Sequence, residues 1–244
     1  MSEFKLPTEI IELPSKGLLY PKDSELAKGT IEIKYMTAKE EDILTNQSYI
    51  KKGVVLDKLM QSVIVSKVNY GELLTGDKNA IMVACRVLGY GKDYTFNYDG
   101  EEHTIDLSLL ENKPLKNIEL FEKGKNEFEF TLPYSKNLVT FQLLTHSTEN
   151  KIQKELNGLK KIHKDNLPEL STRLKHIITS VEGKRDPKDI REFVDKYLLA
   201  RDSKALRKYI KEIQPDVDLT FFPDEEEPEK RNIPMGVDFF WPEL

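Results

Sequence analysis

The apolar residues of this chain change their period twice, and that change limits the folds open to it more than any single motif. Between residues 55 and 88 they recur at helical spacing: Val55, Leu56, Leu59, Met60, Val63 and Ile64 form one stripe, Ile81, Met82, Ala84, Cys85 and Leu88 a second. From 94 to 145 the pattern alternates, with YTFNY and EEHTIDL flanking Asp99-Gly100 and with NEFEFTL and NLVTFQLL flanking Pro133 to Lys136. Asp99-Gly100 predicts a tight primed turn, because both residues tolerate positive φ. After His146 the helical spacing returns through Ile152, Leu156, Leu159 and Ile162, then Leu170, Leu174, Ile177, Ile178 and Val181, then Ile190, Phe193, Val194, Tyr197 and Leu198, and finally Leu206, Tyr209, Ile210 and Ile213. The expected fold class is α+β: mostly helical, with a small antiparallel β unit in the middle and a C-terminal helical bundle of about four short helices.

Local signals place the element boundaries. Ile31, Ile33 and Tyr35 alternate with Thr30, Glu32 and Lys34 in a strand pattern, and Thr37 with Glu40 forms a capping box that starts a helix. Asp77 is expected to cap the helix that Gly89 and Gly91 end, and Asp186-Pro187 starts another, since proline suits the first helical position. The expected organisation is an extended arm at 1–28, a strand plus helical region at 29–93, the β unit at 94–145, the bundle at 146–214, and an acidic linker with an aromatic tail at 215–244.

The two flanks are the unusual parts. Pro7, Pro14, Gly17 and Pro21 break any helical period in the arm, yet Ile10, Ile11, Leu13, Leu18, Leu19 and Tyr20 make it too apolar to leave in water. The tail follows its charge run with Phe239, Phe240 and Trp241, the only tryptophan. Those aromatics either clasp the chain's own body or dock on a partner. The like-charged, proline-containing spacer favours docking.

Other chemistry is weakly written. A net charge of −5 argues against general attraction to nucleic acid or anionic membrane. No stretch is long and apolar enough to span a bilayer, and the opening residues do not read as a secretory signal. Cys85 alone allows no internal disulfide. His103, His146, His163 and His176 are dispersed and form no metal-ligand spacing, so neither a catalytic centre nor a metal or other cofactor is expected. Gly89-Tyr90-Gly91 lacks the lysine and hydroxyl of a phosphate loop. Lys160, Lys161, His163 and Lys164 read as a solvated helix end, and the acidic run at 224–231 as a linker.

Several segments in order, LPSKGLLYP at 13–21, GTIEIKYMTAKEEDIL at 29–44, KKGVVLDKL at 51–59, LLTGDKNA at 73–80, GYGKDY at 89–94 and FFWP at 239–242, resemble the T4-type bacteriophage baseplate protein family of contractile-tailed phages. The resemblance covers most of residues 10–110 and the closing residues, and less of the bundle. It implies a non-enzymatic baseplate hub component or hub assembly factor, whose partners are other hub or tape-measure proteins, with self-association open and neither nucleic acid nor membrane involved. It implies a place in the bacterial host cytoplasm during assembly and, for a structural subunit, in the virion tail. Some relatives carry a cysteine-rich turn where this chain has Asp99-Gly100, so no zinc knuckle carries over. The expected partner-binding residues are Leu13, Pro14, Leu18, Leu19, Tyr20 and Pro21 in the arm and Phe239, Phe240, Trp241 and Pro242 in the tail. The competing reading is an adaptor or an enzyme whose site is assembled from dispersed residues.

Overall fold

Pro7 and Pro14 bracket an extended run, and within it strand β1 (Thr8–Glu12) pairs antiparallel with β2 (Thr30–Lys34), setting Glu9 opposite Ile33 and Ile11 opposite Ile31. The computed structural model describes residues 6–160, 167–223 and 229–240. Helix α1 (Ala38–Leu44) starts at the expected box: the Thr37 amide donates to Glu40 Oε2 at 2.9 Å and its hydroxyl to the same oxygen at 2.7 Å. Helices α2 (Gln47–Lys51) and α3 (Val55–Val63) follow, and α3 buries Val55, Leu59, Met60 and Val63. The long helix α4 (Thr75–Tyr90) crosses the centre of the fold. Its N-cap is Leu74, not Asp77, which lies inside the first turn and is spent elsewhere. Gly91 ends it at φ 85°, while Gly89 is still helical.

Strands β3 (Asp93–Tyr98) and β4 (Glu101–Asp106) form the first predicted hairpin, and Asp99 and Gly100 both take positive φ, 51° and 87°. Strands β5 (Phe128–Thr131) and β6 (Leu138–Phe141) form the second, with Phe128 opposite Phe141. The two hairpins belong to separate sheets.

The bundle contains helices α5 (His146–Lys160) and α6 (Glu169–Ile177), but it does not stay helical. Strand β7 (Ile178–Val181) leaves α6 directly and pairs with β6, so the sheet order is β5-β6-β7. The helical stripe predicted through Ile178 and Val181 is therefore corrected: the β-branched run IITSV satisfies the open edge of β6, and Thr140 Oγ1 lies 2.7 Å from both Thr179 Oγ1 and Ser180 Oγ. Leu170 and Tyr197, expected on buried stripes, are exposed, and Ile162 lies outside the described residues. Helix α7 (Pro187–Lys196) begins with Asp186 accepting from the Lys188 amide at 2.8 Å. In α8 (Ala200–Ile213), Asp202 accepts from the amides of Tyr134 and Ser135 at 2.8 and 2.9 Å, which ties the β5–β6 loop to the bundle.

Beyond α8 the chain turns back. Short strands β8 (Thr220–Phe221) and β9 (Arg231–Asn232) pair, and Val217, Phe221 and Ile233 are buried. The described parts of 215–240 thus pack on the body, and the extended spacer expected there is corrected for them. Residues 224–228, most of the acidic run, lie outside the described residues. One contiguous apolar core runs from Leu13 through the helices and both larger sheets to Phe240. The fold is α+β and mostly helical.

Candidate functional site: the clasped arm and aromatic segment

Both apolar flanks lie on the chain's own α4, and one buried polar side chain of α4 holds each of them. For the arm that side chain is Asp77, fully buried. The turn of LPSKG brings the Ser15 amide to Asp77 Oδ1 at 2.9 Å and the Ser15 hydroxyl to Oδ2 at 2.7 Å. The Tyr20 hydroxyl donates to Oδ2 while accepting from the Leu74 amide at 2.9 Å. Burial pushes the Asp77 carboxyl up, against the opposing pull of the Tyr20 and Ser15 hydrogen bonds, and Asp216 adds to the rise. Burial and the adjacent Asp77 push the Tyr20 phenol up, which keeps it a donor. Gly76, one residue before Asp77, is a point of close approach: a Cβ there would lie 1.9 Å from the Pro215 carbonyl oxygen.

For the tail the holding residue is Arg86, also buried. Its guanidinium donates from Nε to the Phe239 carbonyl at 2.9 Å and from its two terminal nitrogens to the carbonyls of Gly91 and Asp93 at 2.7 and 3.0 Å. A single planar fork therefore joins the end of α4, the start of β3 and the aromatic segment. Phe239 packs edge-on against Tyr94 at 4.9 Å and against Phe240 at 5.3 Å, in a short 3₁₀ turn, Val237–Phe240. The Tyr94 hydroxyl donates to the Pro234 carbonyl at 2.9 Å.

These placements correct the docking expectation for most of the predicted residues. Leu13, Pro14, Leu19 and Tyr20 are buried in the chain's own core, as are Phe239 and Phe240 at 0% and 1% exposure. Once Asp77 and Arg86 satisfy the backbone of the two segments, their apolar side chains gain more by filling the core than by waiting for a partner. Leu18 is half-buried, and exposed Pro21 lines a cleft of about 420 Å³ beside Tyr20 and Leu74. Trp241 and Pro242 lie outside the described residues. So do Lys161, His163 and Lys164 of the basic cluster.

Sequence reasoning missed both holding residues. Asp77 reads as a helix cap and Arg86 drew no reading at all; the only written hint is that each interrupts an otherwise apolar helix face. It also missed a cluster built from α3, α4 and α5. Lys78 Nζ lies 2.9 Å from Asp57 Oδ1 and 3.1 Å from His146 Nδ1, the Tyr70 hydroxyl donates to Asp57 Oδ1 at 2.8 Å, and Asn150 Nδ2 lies 2.8 Å from His146 Nε2. Burial and the Lys78 ammonium push the His146 imidazole down. Each group is spent on another within the cluster, which ties three helices together. His176 pairs with Glu155 at 2.8 Å, and His103 packs among Phe96, Tyr98 and Phe221. Among the described residues no group of three or more His, Cys, Asp or Glu is placed to hold a metal ion, and no helix is long and apolar enough to cross a membrane.

No family model, curated protein or solved structure matches this chain.

Proposed function

We propose that this chain is a non-enzymatic protein of contractile-tailed bacteriophages, a baseplate hub component or a hub assembly factor, acting through contacts with other hub or tape-measure proteins. The observation that carries the reading is that segments bearing the resemblance are physically coupled in pairs. LPSKGLLYP is hydrogen-bonded through Ser15 and Tyr20 to Asp77 of LLTGDKNA, and the Phe239 carbonyl of FFWP to Arg86, which also holds Gly91 and Asp93 of GYGKDY. Binding surfaces then have to come from what the clasped ends leave outside.

The test is a null mutation of the gene in a contractile-tailed phage that encodes it, read by electron microscopy of the lysate and by a mass-spectrometric inventory of purified virions. Loss of assembled baseplates is the expected result. The protein's presence in wild-type virions then marks a structural subunit, its absence an assembly factor. Normal infectious tails in the null mutant overturn the proposal.

A further inference from the structure

Strand β1 has only one paired edge. Its partner β2 gives the alternation away: Tyr35 donates to the Pro7 carbonyl and Leu13 to the Gly29 carbonyl, so Pro7, Glu9, Ile11 and Leu13 are the residues whose backbone faces β2. The amides and carbonyls of Thr8, Ile10 and Glu12 therefore point the other way. Across β2 the same parity is satisfied, since the Glu32 carbonyl accepts from Val65 and Ser66 and its amide donates to Ser66 Oγ. Nothing among the described residues does this for β1. The unpaired edge lies beside an apolar groove of about 310 Å³, walled by Ile11 of β1, floored by Val83 and Val87 of α4, and closed by Leu107 and Leu110. The two most exposed large aliphatic side chains among the described residues, Ile10 at 71% and Leu109 at 75%, are sequence neighbours of lining residues. Native sheets usually blunt such an edge with lysine, a bulge or a covering loop, and none of these is found at β1 among the described residues.

We propose that this edge and groove accept an extended, basic segment of another protein as an added antiparallel or parallel strand. Unpaired backbone groups supply the affinity, and the groove receives the partner's apolar side chains at every second position. Charge selects the occupant. The groove is lined by two carboxylates, Glu9 and Glu12, and by no lysine or arginine, and among the described residues Glu12 forms no ion pair. A strand with Lys or Arg between its apolar positions fits that rim. A second copy of β1 would bring two more glutamates, Glu9 and Glu12, against the two already there and add like charge to a chain already at −5. The inference stands whether or not the chain is a tail protein.

The experiment uses the full chain and a blocked peptide of about nine residues that alternates valine with lysine and threonine, beside a counterpart with glutamine for lysine. Amide exchange followed by NMR reads the edge directly. On adding the lysine peptide, exchange of the Thr8, Ile10 and Glu12 amides should slow at least tenfold or so, and affinity should exceed that of the glutamine peptide about threefold. Ile10→Pro removes an outward donor without touching the β1–β2 ladder, and should leave the fold intact while weakening binding about tenfold. Glu9→Lys with Glu12→Lys should reverse the preference between the peptides and serves as the second variant if Ile10→Pro fails to fold. Absence of protection, equal affinity for the two peptides, or binding unchanged by these variants overturns the proposal. So does protection of the same amides without peptide in a sedimenting dimer, which would make a second copy the occupant.

Discussion

Asp77 and Arg86 show how much of this fold hangs on single polar side chains inside an apolar helix. Arg86→Met keeps the length of the side chain but leaves the carbonyls of Phe239, Gly91 and Asp93 without their donor. Of the three, only the Phe239 carbonyl sits in a buried hydrogen bond, Gly91 and Asp93 being exposed, so urea denaturation should show a loss of about 1–3 kcal/mol. Gly76→Ala should cost about as much, because its methyl group would meet the rigid Pro215 carbonyl and not a movable side chain. Acid should act on two sets of carboxyls with opposite sign. Burial would raise Glu40, but hydrogen bonds from Lys34, Ser62 and Thr37 outweigh it and hold the carboxyl at about 2; Arg191 hydrogen bonds hold Glu155, and Arg185 those of Glu127, at about 2 as well. Those depressed groups contribute stability that is present above about 4.5 and lost as pH falls toward 2. Asp77 is raised, so its folded form binds the proton more tightly, and its contribution weakens as pH rises above about 3.8. Melting of Asp77→Asn and of the parent chain across pH 3–7 should therefore show the parent's advantage largest at the acid end; an advantage that grew with pH would mean that Asp77 is ionised and stabilising in place.

Elements followed their local signals wherever their neighbours made no competing demand. Asp99-Gly100 closed its hairpin, Thr37 and Glu40 started α1, and Asp186 with Pro187 started α7. Asp186→Ala removes the acceptor for the Lys188 amide and should cost about 1 kcal/mol, a fall of a few degrees in melting temperature by calorimetry. Strand β7 went the other way. Residues 170–181 carry a helical stripe, and α6 uses it as far as Ile177; beyond that, the unpaired edge of β6 offers backbone partners that a longer helix would forfeit. The signal was present in four β-branched residues among Ile177–Val181 and in Gly183 at φ 77°, but it outranks the helical period only when the open edge is known. The candidate site was less legible than the fold. LPSKGLLYP and the closing aromatics stand out by composition, while the side chains that hold them sit 57 residues away, for Tyr20 and Asp77, and 153 away, for Phe239 and Arg86.

At the scale of the whole molecule the arm and the tail are structural members. Removing residues 1–21 deletes β1 together with Leu13, Leu19 and Tyr20, three side chains worth roughly 5 kcal/mol or more of burial. The truncated chain should fail to fold cooperatively, seen as loss of a sigmoidal unfolding transition by circular dichroism. Phe239→Ala should cost about 3–5 kcal/mol for the same reason. A truncated chain with the parent's stability would return the arm to the role of a detachable docking segment. The sequence by itself determined the α+β class, both hairpins and the starts of α1 and α7, because periodicity, turn chemistry and caps act over a few residues. Only the tertiary structure decided that the apolar flanks close on their own body, that a strand interrupts the bundle, and that the outer edge of β1 has no backbone partner among the described residues. Those outcomes depend on which backbone and polar groups at distant positions remain unsatisfied, and a linear pattern of side chains does not carry that information.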